Sequence, residues 1–514
     1  MATPTAKPPP RRARIFTYGE FNLDALLALA SRLRSRPCTA DSSRMPMIGS
    51  LNLVVFVAFD DGVEWVYRSP KLSGSLGRTM ADETASKLLV SEVATLRYLR
   101  TQCAVPVPEV YSFSGTSDND IGAPYILMSK AAGRPLSDYD WLDMRGRWPG
   151  FSSPVSCLPL AEHGRDKIMR QLGLIMSRLL NANAHFGKIG SLVAEHDGSY
   201  SVGECLSPAL VWQTRDALED VRRGPFETES AYFDSLVSVF ITHAKEFWLV
   251  PHCFFAPHPS ALDYASRESY HAATKRWHVF CEYAQLDGSV ENRLAYCVAG
   301  HLARQMIPSF ASSRRDFVLS HPDLHAGNVF VDDDFNVTYI IDWGSAYAGP
   351  VAELLATPGL CGSSSPPPES LTAAYREGFT QGGVKVEPEQ WEKAGMVWFF
   401  TRLVRLVARQ DMALFQGLYE AVHKTKLEDI RGLLREQSEQ EFGRQVLAEL
   451  REYDDEAEDE DKKQREDKIT RTRGVRDPAT ARKLTLMYQM NPLFVADRRL
   501  WRWLEDALGP DKSA

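Results

Sequence analysis

The stretch 321–344, which reads HPDLHAGNVFVDDDFNVTYIIDWG, constrains this chain more than any other part of its sequence. Two short apolar runs flank the turn residues 332–336, so the stretch predicts one tight β-hairpin. Folding that hairpin brings its two ends together. We therefore expect Asp323, Asn328 and Asp342 to converge on one point, although Asp323 and Asp342 lie nineteen positions apart.

These three oxygen-bearing side chains suit phosphoryl transfer with magnesium. Mg²⁺ takes hard oxygen ligands from one or two carboxylates plus the phosphates of a substrate, so Asn328 and Asp342 are the expected metal ligands. Asp323 then stays free to orient a hydroxyl group and accept its proton. The alternative is that acids in a hairpin merely face water, and this reading suffices for the acids of the turn itself.

Two spaced motifs in this stretch carry a resemblance to known phosphotransferases. The offset from Asp323 to Asn328 matches the catalytic loop H-R-D-L-x-x-x-N of protein kinases, and the Asp-Trp-Gly at 342–344 stands where D-F-G stands. Protein kinases carry Arg where this chain has Pro322. The form Asp-Leu-His-Ala-Gly-Asn resembles the aminoglycoside phosphotransferase and choline kinase group, and most of all the fungal members of the phosphotransferase enzyme family. The resemblance runs from about residue 16 to residue 419.

This resemblance implies the fold class and a division of the chain. The expected fold is α/β (α+β): a bilobal, protein kinase-like fold with a small β-rich N-terminal lobe and a larger, mainly helical C-terminal lobe with extra helices. We expect a disordered tail over 1–15, an N-terminal lobe over 16–130, a C-terminal lobe over 131–425 with an acceptor-pocket insertion, and a helical extension over 426–514 with an acidic segment near Asp454 to Asp461. The acids of that segment are expected to face water rather than attract an amine substrate.

A hairpin near the start of the N-terminal lobe is the expected cover for the nucleotide phosphates. Apolar runs on both sides of Asp-Asp-Gly at 60–62 predict two paired strands. The resemblance implies that the first bend of this region, with Gly49, Ser50 and Asn52, faces the phosphates through backbone N–H groups. The bend has a single glycine instead of G-x-G-x-x-G, so its position carries the prediction more than its composition.

The resemblance implies a cation at the end of the second strand of this hairpin that binds the phosphates. Arg68 is the candidate, because a guanidinium binds phosphate with two parallel hydrogen bonds, and Lys71 is held in reserve. Residues 88–99 have helical spacing and contain Glu92, the expected partner of Arg68. The resemblance also implies a hinge at Met128, Ser129 and Lys130, where backbone groups would pair with adenine.

Composition and cysteine spacing exclude several other classes. The 59 basic and 67 acidic residues give a net charge of -8, which argues against a general nucleic-acid binder. No apolar run approaches the roughly 20 residues that a membrane span needs. The eight cysteines contain no C-x-x-C pair and the histidines have no metal-ligand spacing, so a zinc site is not expected. Cytoplasmic placement is expected, although the basic start of the chain leaves a mitochondrial transit peptide open.

The resemblance implies transfer of the γ-phosphoryl group of ATP, with Mg²⁺, to a hydroxyl of a small molecule. Asp323 is the expected base, with His321 and His325 shaping the catalytic loop by hydrogen bonds. One alternative is a nucleotide-binding or interaction protein that has lost catalysis, which the single glycine of the bend and the missing strand Lys keep open. A protein kinase is the other alternative, disfavoured by Pro322 and by the lack of an A-P-E segment after Asp342. The acceptor and the oligomeric state stay open.

Overall fold

A computed structural model describes most of the two predicted lobes. The described residues are 21–40, 47–48, 51–70, 80–141, 158–181, 185–246, 290–360, 366–405 and 411–452. Several predictions lie outside them: the tail over 1–15, the bend residues Gly49 and Ser50, the reserve cation Lys71 and the acidic segment near Asp454 to Asp461.

The N-terminal lobe is an antiparallel sheet with one helix on each face. Its strands lie in the order β1-β3-β4-β6-β5, with β2 paired to the outer part of β3. In chain order the elements are α1 (Leu23–Arg34), β1 (Cys38–Thr39), β2 (Met47–Ile48), β3 (Asn52–Phe59), β4 (Glu64–Pro70), α2 (Asp82–Gln102), β5 (Val110–Ser114) and β6 (Tyr125–Ser129).

Local sequence signals explain these elements. The side chain of Asn22 caps α1 by accepting a hydrogen bond of 3.1 Å from the backbone N–H of Ala25. Gly62 closes the turn between β3 and β4 with a φ of +83°, a conformation that costs glycine little. Alternation along the strands gives the sheet two apolar faces, because successive side chains point to opposite sides. Leu127 packs with α1 on one face, and Met128 belongs to the core that includes α2.

The C-terminal lobe is mainly helical, with three small sheets at its front. β7 pairs with the β11–β12 hairpin, β10 pairs with β13, and β8 pairs with β9. The elements are β7 (Arg134–Pro135), α3 (Glu162–Asn181), β8 (Leu192–Ala194), β9 (Tyr200–Val202), α4 (Pro208–Val211), α5 (Glu229–Glu246), α6 (Val290–Met306), β10 (Val318–Ser320), β11 (Val329–Val331), β12 (Val337–Ile340), β13 (Tyr347–Gly349), α7 (Val351–Leu355), α8 (Glu369–Gln381), α9 (Pro388–Arg405), α10 (Asp411–His423) and α11 (Ile430–Ser438), followed by a helix over 441–452.

The predicted fold class is confirmed, with a β-rich lobe followed by a mainly helical one. The helix predicted over 88–99, which contains Glu92, forms over Asp82–Gln102. The two apolar runs of the predicted hairpin form β11 and β12. Asn328 lies just before β11, at the end of a short 3-10 turn that starts at Ala326. Within the described residues, no helix is both long and apolar enough to cross a membrane.

Candidate active site

The β11–β12 hairpin brings the two motifs of the central stretch together. Val329 is paired with Ile340, so the chain returns beside its own starting point. One residue beyond this pair, the backbone N–H of Ile341 donates a hydrogen bond of 2.9 Å to the carbonyl oxygen of Asn328. This bond holds Asn328 next to the start of Asp-Trp-Gly, as the sequence predicted.

Asp342 has an unusual backbone conformation. Its φ is +63°, in the left-handed region that most residues avoid and that Asp and Asn tolerate best. The following Trp343 is fully buried and donates a hydrogen bond of 3.0 Å from Nε1 to the carbonyl oxygen of Ile340. Trp343 therefore anchors the turn in the core while the Asp342 carboxylate stays nearly half exposed.

Arg68 joins the two lobes through a pair of carboxylates. It forms an ion pair with Glu92 on α2 and donates a 3.2 Å hydrogen bond from Nη1 to Asp342 Oδ1. Both Arg68 and Glu92 are buried, with 9% and 2% of their surface exposed. Burial lowers the pKa of Arg68, and the charge of Asp342 opposes that effect. Gly344 lies against this pair, since a Cβ there would stand 3.1 Å from Glu92 Oε2.

Asp323 is held by an arginine that the sequence did not point to. Arg405, the last residue of α9, donates hydrogen bonds of 2.8 Å to Asp323 Oδ1 and 2.7 Å to the carbonyl oxygen of Pro322. Burial alone would raise the pKa of the Asp323 carboxyl. The charge and hydrogen bond of Arg405 outweigh burial and leave that pKa below its ordinary value. Asp323 is therefore ionised at neutral pH.

The two histidines of the loop make the hydrogen bonds that shape it. His321 lies 2.9 Å through Nε2 from the carbonyl oxygen of Ile341, and its ring packs on Trp343. Burial lowers the pKa of His321, so the ring is neutral at pH 7, and Nε2 carries the proton because a carbonyl oxygen can only accept. His325 Nδ1 accepts a 3.0 Å hydrogen bond from the backbone N–H of Gly327. His325 Nε2 lies 3.8 Å from Asp323 Oδ2.

Several of these side chains line one cleft of about 380 Å³ between the lobes. Its lining includes Arg68, Asp323, Asn328 and Asp342, together with Asn52 from the start of β3. Among the predicted phosphate-bend residues Asn52 is thus placed at the cleft, while Gly49 and Ser50 lie outside the described residues.

The donor set of the cleft fits a hard divalent cation. Asn328 is buried and donates from Nδ2 to the backbone carbonyl of Asp323 over 2.9 Å, so its amide oxygen is the atom that could ligate a metal. The Asp342 carboxylate supplies the second oxygen donor. One amide and one carboxylate are what Mg²⁺ takes from proteins when phosphate oxygens and water complete its octahedral shell.

The predicted hinge residues lie elsewhere in the described structure. Met128 is buried in the core, and Ser129 exchanges hydrogen bonds of 2.9 Å with the backbone of Glu109 through both its N–H and its hydroxyl. Lys130 forms an ion pair with Glu64. These three residues are not part of the cleft lining formed by the described residues. An adenine contact at this hinge stays a prediction. Because the backbone N–H of Ser129 already bonds to Glu109, the backbone of Lys130 is the candidate for that contact.

Two residues were not predicted from the sequence: Trp212, which lines the cleft, and Arg405, which binds Asp323. Arg405 lies 82 positions from Asp323, and Trp212 lines the cleft with its ring centroid 5.2 Å from the Arg405 guanidinium carbon. Sequence spacing cannot reveal contacts over such separations. A partial signal existed, because Arg402 and Arg405 interrupt the apolar pattern of α9, and a charged side chain on an apolar helix usually has a partner.

Comparison with known proteins identifies the family of the central stretch. Residues 254–383 match the model of the phosphotransferase enzyme family, and this range contains both motifs. A subtelomeric hrmA-associated cluster protein of Aspergillus fumigatus is 38% identical over 97 residues, which are 19% of this chain and 17% of that protein. The mitochondrial protein "altered inheritance of mitochondria protein 9" of Yarrowia lipolytica is 36% identical over 96 residues, 18% of this chain and 16% of that protein.

The chain thus covers about a sixth of the length of these curated relatives. Among solved structures, the apoenzyme of macrolide 2'-phosphotransferase MphH from Brachybacterium faecium aligns over 80% of this chain and 97% of its own, with 16% identity and a TM-score of 0.37. Over residues 254–383 the chain matches the phosphotransferase enzyme family, and the resemblance predicted from the two motifs is confirmed.

Proposed function

We propose that this protein transfers the γ-phosphoryl group of ATP, in a magnesium-dependent reaction, to a hydroxyl group of a small molecule. One observation carries the proposal: Asp323, Asn328, Asp342 and the Arg68–Glu92 pair line a single cleft between two lobes. They come from three parts of the chain: the N-terminal lobe with Arg68 and Glu92, the catalytic loop with Asp323 and Asn328, and the far end of the hairpin with Asp342. Their convergence supplies a base, two metal ligands and a phosphate-binding cation, which together are the parts that phosphoryl transfer needs.

The roles of the chain's own residues follow from their positions. Asn328 and Asp342 would hold Mg²⁺, which when bound neutralises charge on the phosphates. Arg68 would bind phosphate oxygens with the part of its guanidinium that now contacts Asp342, while Glu92 keeps it oriented. Asp323 would accept a hydrogen bond from the acceptor hydroxyl and take its proton as the new O–P bond forms and the bond to the ADP oxygen breaks.

The proposed order of proton transfer agrees with the electrostatics of Asp323. Arg405 helps to lower the pKa of this carboxyl, so Asp323 is a weak base and cannot deprotonate an alcohol in advance. It can orient the hydroxyl and accept the proton once the oxygen becomes acidic in the transition state. Orientation and late proton transfer are therefore the work expected of this carboxylate.

A nucleotide-binding protein without catalysis is the second candidate. The observation that favours it is the Arg405–Asp323 ion pair, which occupies one oxygen of the proposed base. The second oxygen, Oδ2, lies near His325 and toward the same cleft. A carboxylate has two oxygens, so one can stay with Arg405 while the other receives the hydroxyl.

The test is transfer of label from γ-labelled ATP to a mixture of small metabolites, with and without Mg²⁺. The wild-type protein should produce labelled, phosphorylated small molecules only with Mg²⁺. Asp323→Asn keeps the size of the side chain and removes its charge, so the rate should fall roughly 10²-fold or more. ATP affinity should change little, because Asp323 faces the acceptor and not the nucleotide.

Three results would speak against the proposal in different ways. Labelling that survives Asp323→Asn within a few-fold would remove the proposed base and the mechanism with it. Tight Mg–ATP binding without any label transfer would support the non-catalytic candidate. A peptide or protein fraction that takes the label in place of small molecules would support a protein kinase.

A further inference from the structure

A second cavity adjoins the cleft at the catalytic loop. It has a volume of about 90 Å³ and is lined by residues of α4, α5 and α9, by Ser320 at the end of β10 and by His321. Pro322 lines both spaces, so they meet at the catalytic loop. Because one water molecule occupies about 30 Å³ in the liquid, the cavity has room for a small polar group.

Two arginines of α9 supply the charge of this cavity. Arg402 and Arg405 are three positions apart and therefore lie on the same side of the helix. Arg405 forms an ion pair with Asp323. Arg402 stacks on Trp398 at 3.9 Å from the ring centroid and forms no ion pair with any carboxylate in the described part of the chain. Burial, followed by the charge of Arg405, lowers the pKa of Arg402 to about 9, so it is charged at neutral pH.

The carboxyl group in the cavity wall does not cancel this charge. Glu353 accepts a hydrogen bond of 2.5 Å from the hydroxyl of Tyr347. Burial raises the pKa of Glu353 to about 8, although that hydrogen bond and Tyr232 act against the rise. Glu353 is therefore mostly protonated at pH 7, and Arg402 leaves the cavity with an excess of positive charge.

Polar atoms of the wall also lack partners. Five buried atoms have no hydrogen-bond partner among the described residues: Ser207 Oγ, Ser320 Oγ, His321 Nδ1, Glu353 Oε1 and Arg405 Nε. Each of the five residues lines the cavity, and Ser320 is only 4% exposed. Buried polar groups are nearly always paired, so atoms of this kind around one space mark a place where a polar ligand or water is bound. The hydroxyl of Ser320 and the N–H of Arg405 can both donate to an anion.

We propose that this cavity binds a carboxylate or phosphate group, and that the hydroxyl acceptor of the proposed reaction carries that group. Arg402 would form the main ion pair with the anion. Arg405, which lines the same cavity, would contact the anion while keeping its ion pair with Asp323. A guanidinium matches the planar fork of a carboxylate or the oxygens of a phosphate. That the anion belongs to the acceptor rests on the proposed function. Amine-bearing acceptors are excluded, because an ammonium group would lie beside the positive charge of Arg402.

The site can be tested without knowing the acceptor. The denaturation midpoint of the full-length protein is measured with increasing glycolate, ethylene glycol or ethanolamine, three two-carbon hydroxyl compounds that are anionic, neutral and cationic. Inorganic phosphate forms a separate arm, and sodium chloride matches the ionic strength throughout. Ligands that bind only the folded state raise its stability in a saturable way. Glycolate, phosphate or both should do so, while the neutral and cationic compounds should not.

Arg402→Gln identifies the site, and Arg376→Gln is its matched control. Arg376 also stacks on a tryptophan, Trp391, at 5.1 Å, but it does not line the cavity. Arg402→Gln should weaken anion binding about tenfold or more, the usual loss for a charge-assisted contact. It should leave the midpoint without anion unchanged or higher, because it removes a partly buried charge that has no carboxylate partner among the described residues. Arg376→Gln should leave anion binding as it is.

The outcomes separate this inference from the proposed function. No saturable effect of either anion, or an effect that Arg402→Gln leaves intact, would overturn the anion site even if Mg–ATP binds normally. Failure of Mg–ATP to bind, with anion binding intact, would remove the proposed reaction and leave the site. In the metabolite screen, acid-bearing acceptors should show a higher KM in Arg402→Gln with an unchanged Kd for ATP. Phosphorylation of amines with equal KM in both proteins would contradict the acceptor assignment.

Discussion

Arg405 changes how the central carboxylate works. The guanidinium of Arg405 on α9 donates hydrogen bonds to the side chain of Asp323 and to the backbone carbonyl oxygen of Pro322. The motifs in the sequence place Asp323, Asn328 and Asp342, because a short hairpin connects them and local pairing determines their proximity. Arg405 belongs to a helix that packs against the loop from far along the chain. Only the tertiary structure brings it there, and no spacing rule predicts it.

Arg405→Gln tests this electrostatic role through the pH profile of activity. Arg405 lowers the pKa of the Asp323 carboxyl against the opposing effect of burial. Activity requires the ionised carboxylate, so the acid limb of kcat/KM reports this pKa in the free enzyme. Without the arginine the pKa should rise, and the acid limb should move to higher pH. An acid limb that stays in place would show that Arg405 only packs against the loop, and Arg376→Gln serves as the control.

Arg68 and Glu92 should act as one unit in nucleotide binding. Arg68→Ala should lower ATP affinity about tenfold or more, because it removes charge-assisted contacts to phosphate. Glu92→Gln keeps the guanidinium of Arg68 but removes the ion pair that orients it. The double variant should lose less binding energy than the sum of the two single losses, since the residues are in contact. Independent effects would shift the role to another cation, and Lys71→Ala measured in the same titration tests that candidate.

Single elements of this fold were easier to predict than the way they meet. The helices that contain Glu92 and follow Asn22 show clear apolar spacing, and Asp-Asp-Gly marks the turn before β4. The pairing of β10 with β13 and of β7 with the hairpin was not predicted. These strands have only two or three residues each, so neither period nor propensity distinguishes them from loops.

Helix α1 gives a test of stability that should leave the cleft unaffected. It covers the face of the sheet that looks away from the catalytic loop, and Asn22 caps its first turn. Asn22→Ala should lower the free energy of unfolding by about 1 kcal/mol, because the backbone N–H of Ala25 loses its acceptor. Asn22→Asp should retain most of the stability, since Asp also caps helices. A change in ATP affinity in either variant would show that α1 is coupled to the site.

The bilobal architecture of the whole molecule was predicted from the resemblance and not from composition. Length and charge allowed many architectures, whereas the two motifs implied one. The structure adds the physical connection between the lobes, in which Arg68 reaches from β4 to Asp342 beyond β12. A nucleotide placed in this cleft would contact both lobes at this connection. The predicted boundary of the helical extension at residue 425 stays a prediction.

We propose that this cleft binds a nucleotide through a metal held by Asn328 and Asp342. Titration of ATP with and without Mg²⁺, on the wild type and on Asp342→Asn, tests it most directly. Asn tolerates the left-handed backbone at this position, so the variant should fold normally while losing the charged oxygen. Magnesium should raise the ATP affinity of the wild type, and Asp342→Asn should reduce the magnesium-dependent affinity about tenfold or more. Equal ATP affinities with and without magnesium would contradict metal-dependent nucleotide binding in this cleft. A variant that keeps the full magnesium effect would contradict the role of Asp342 as a metal ligand.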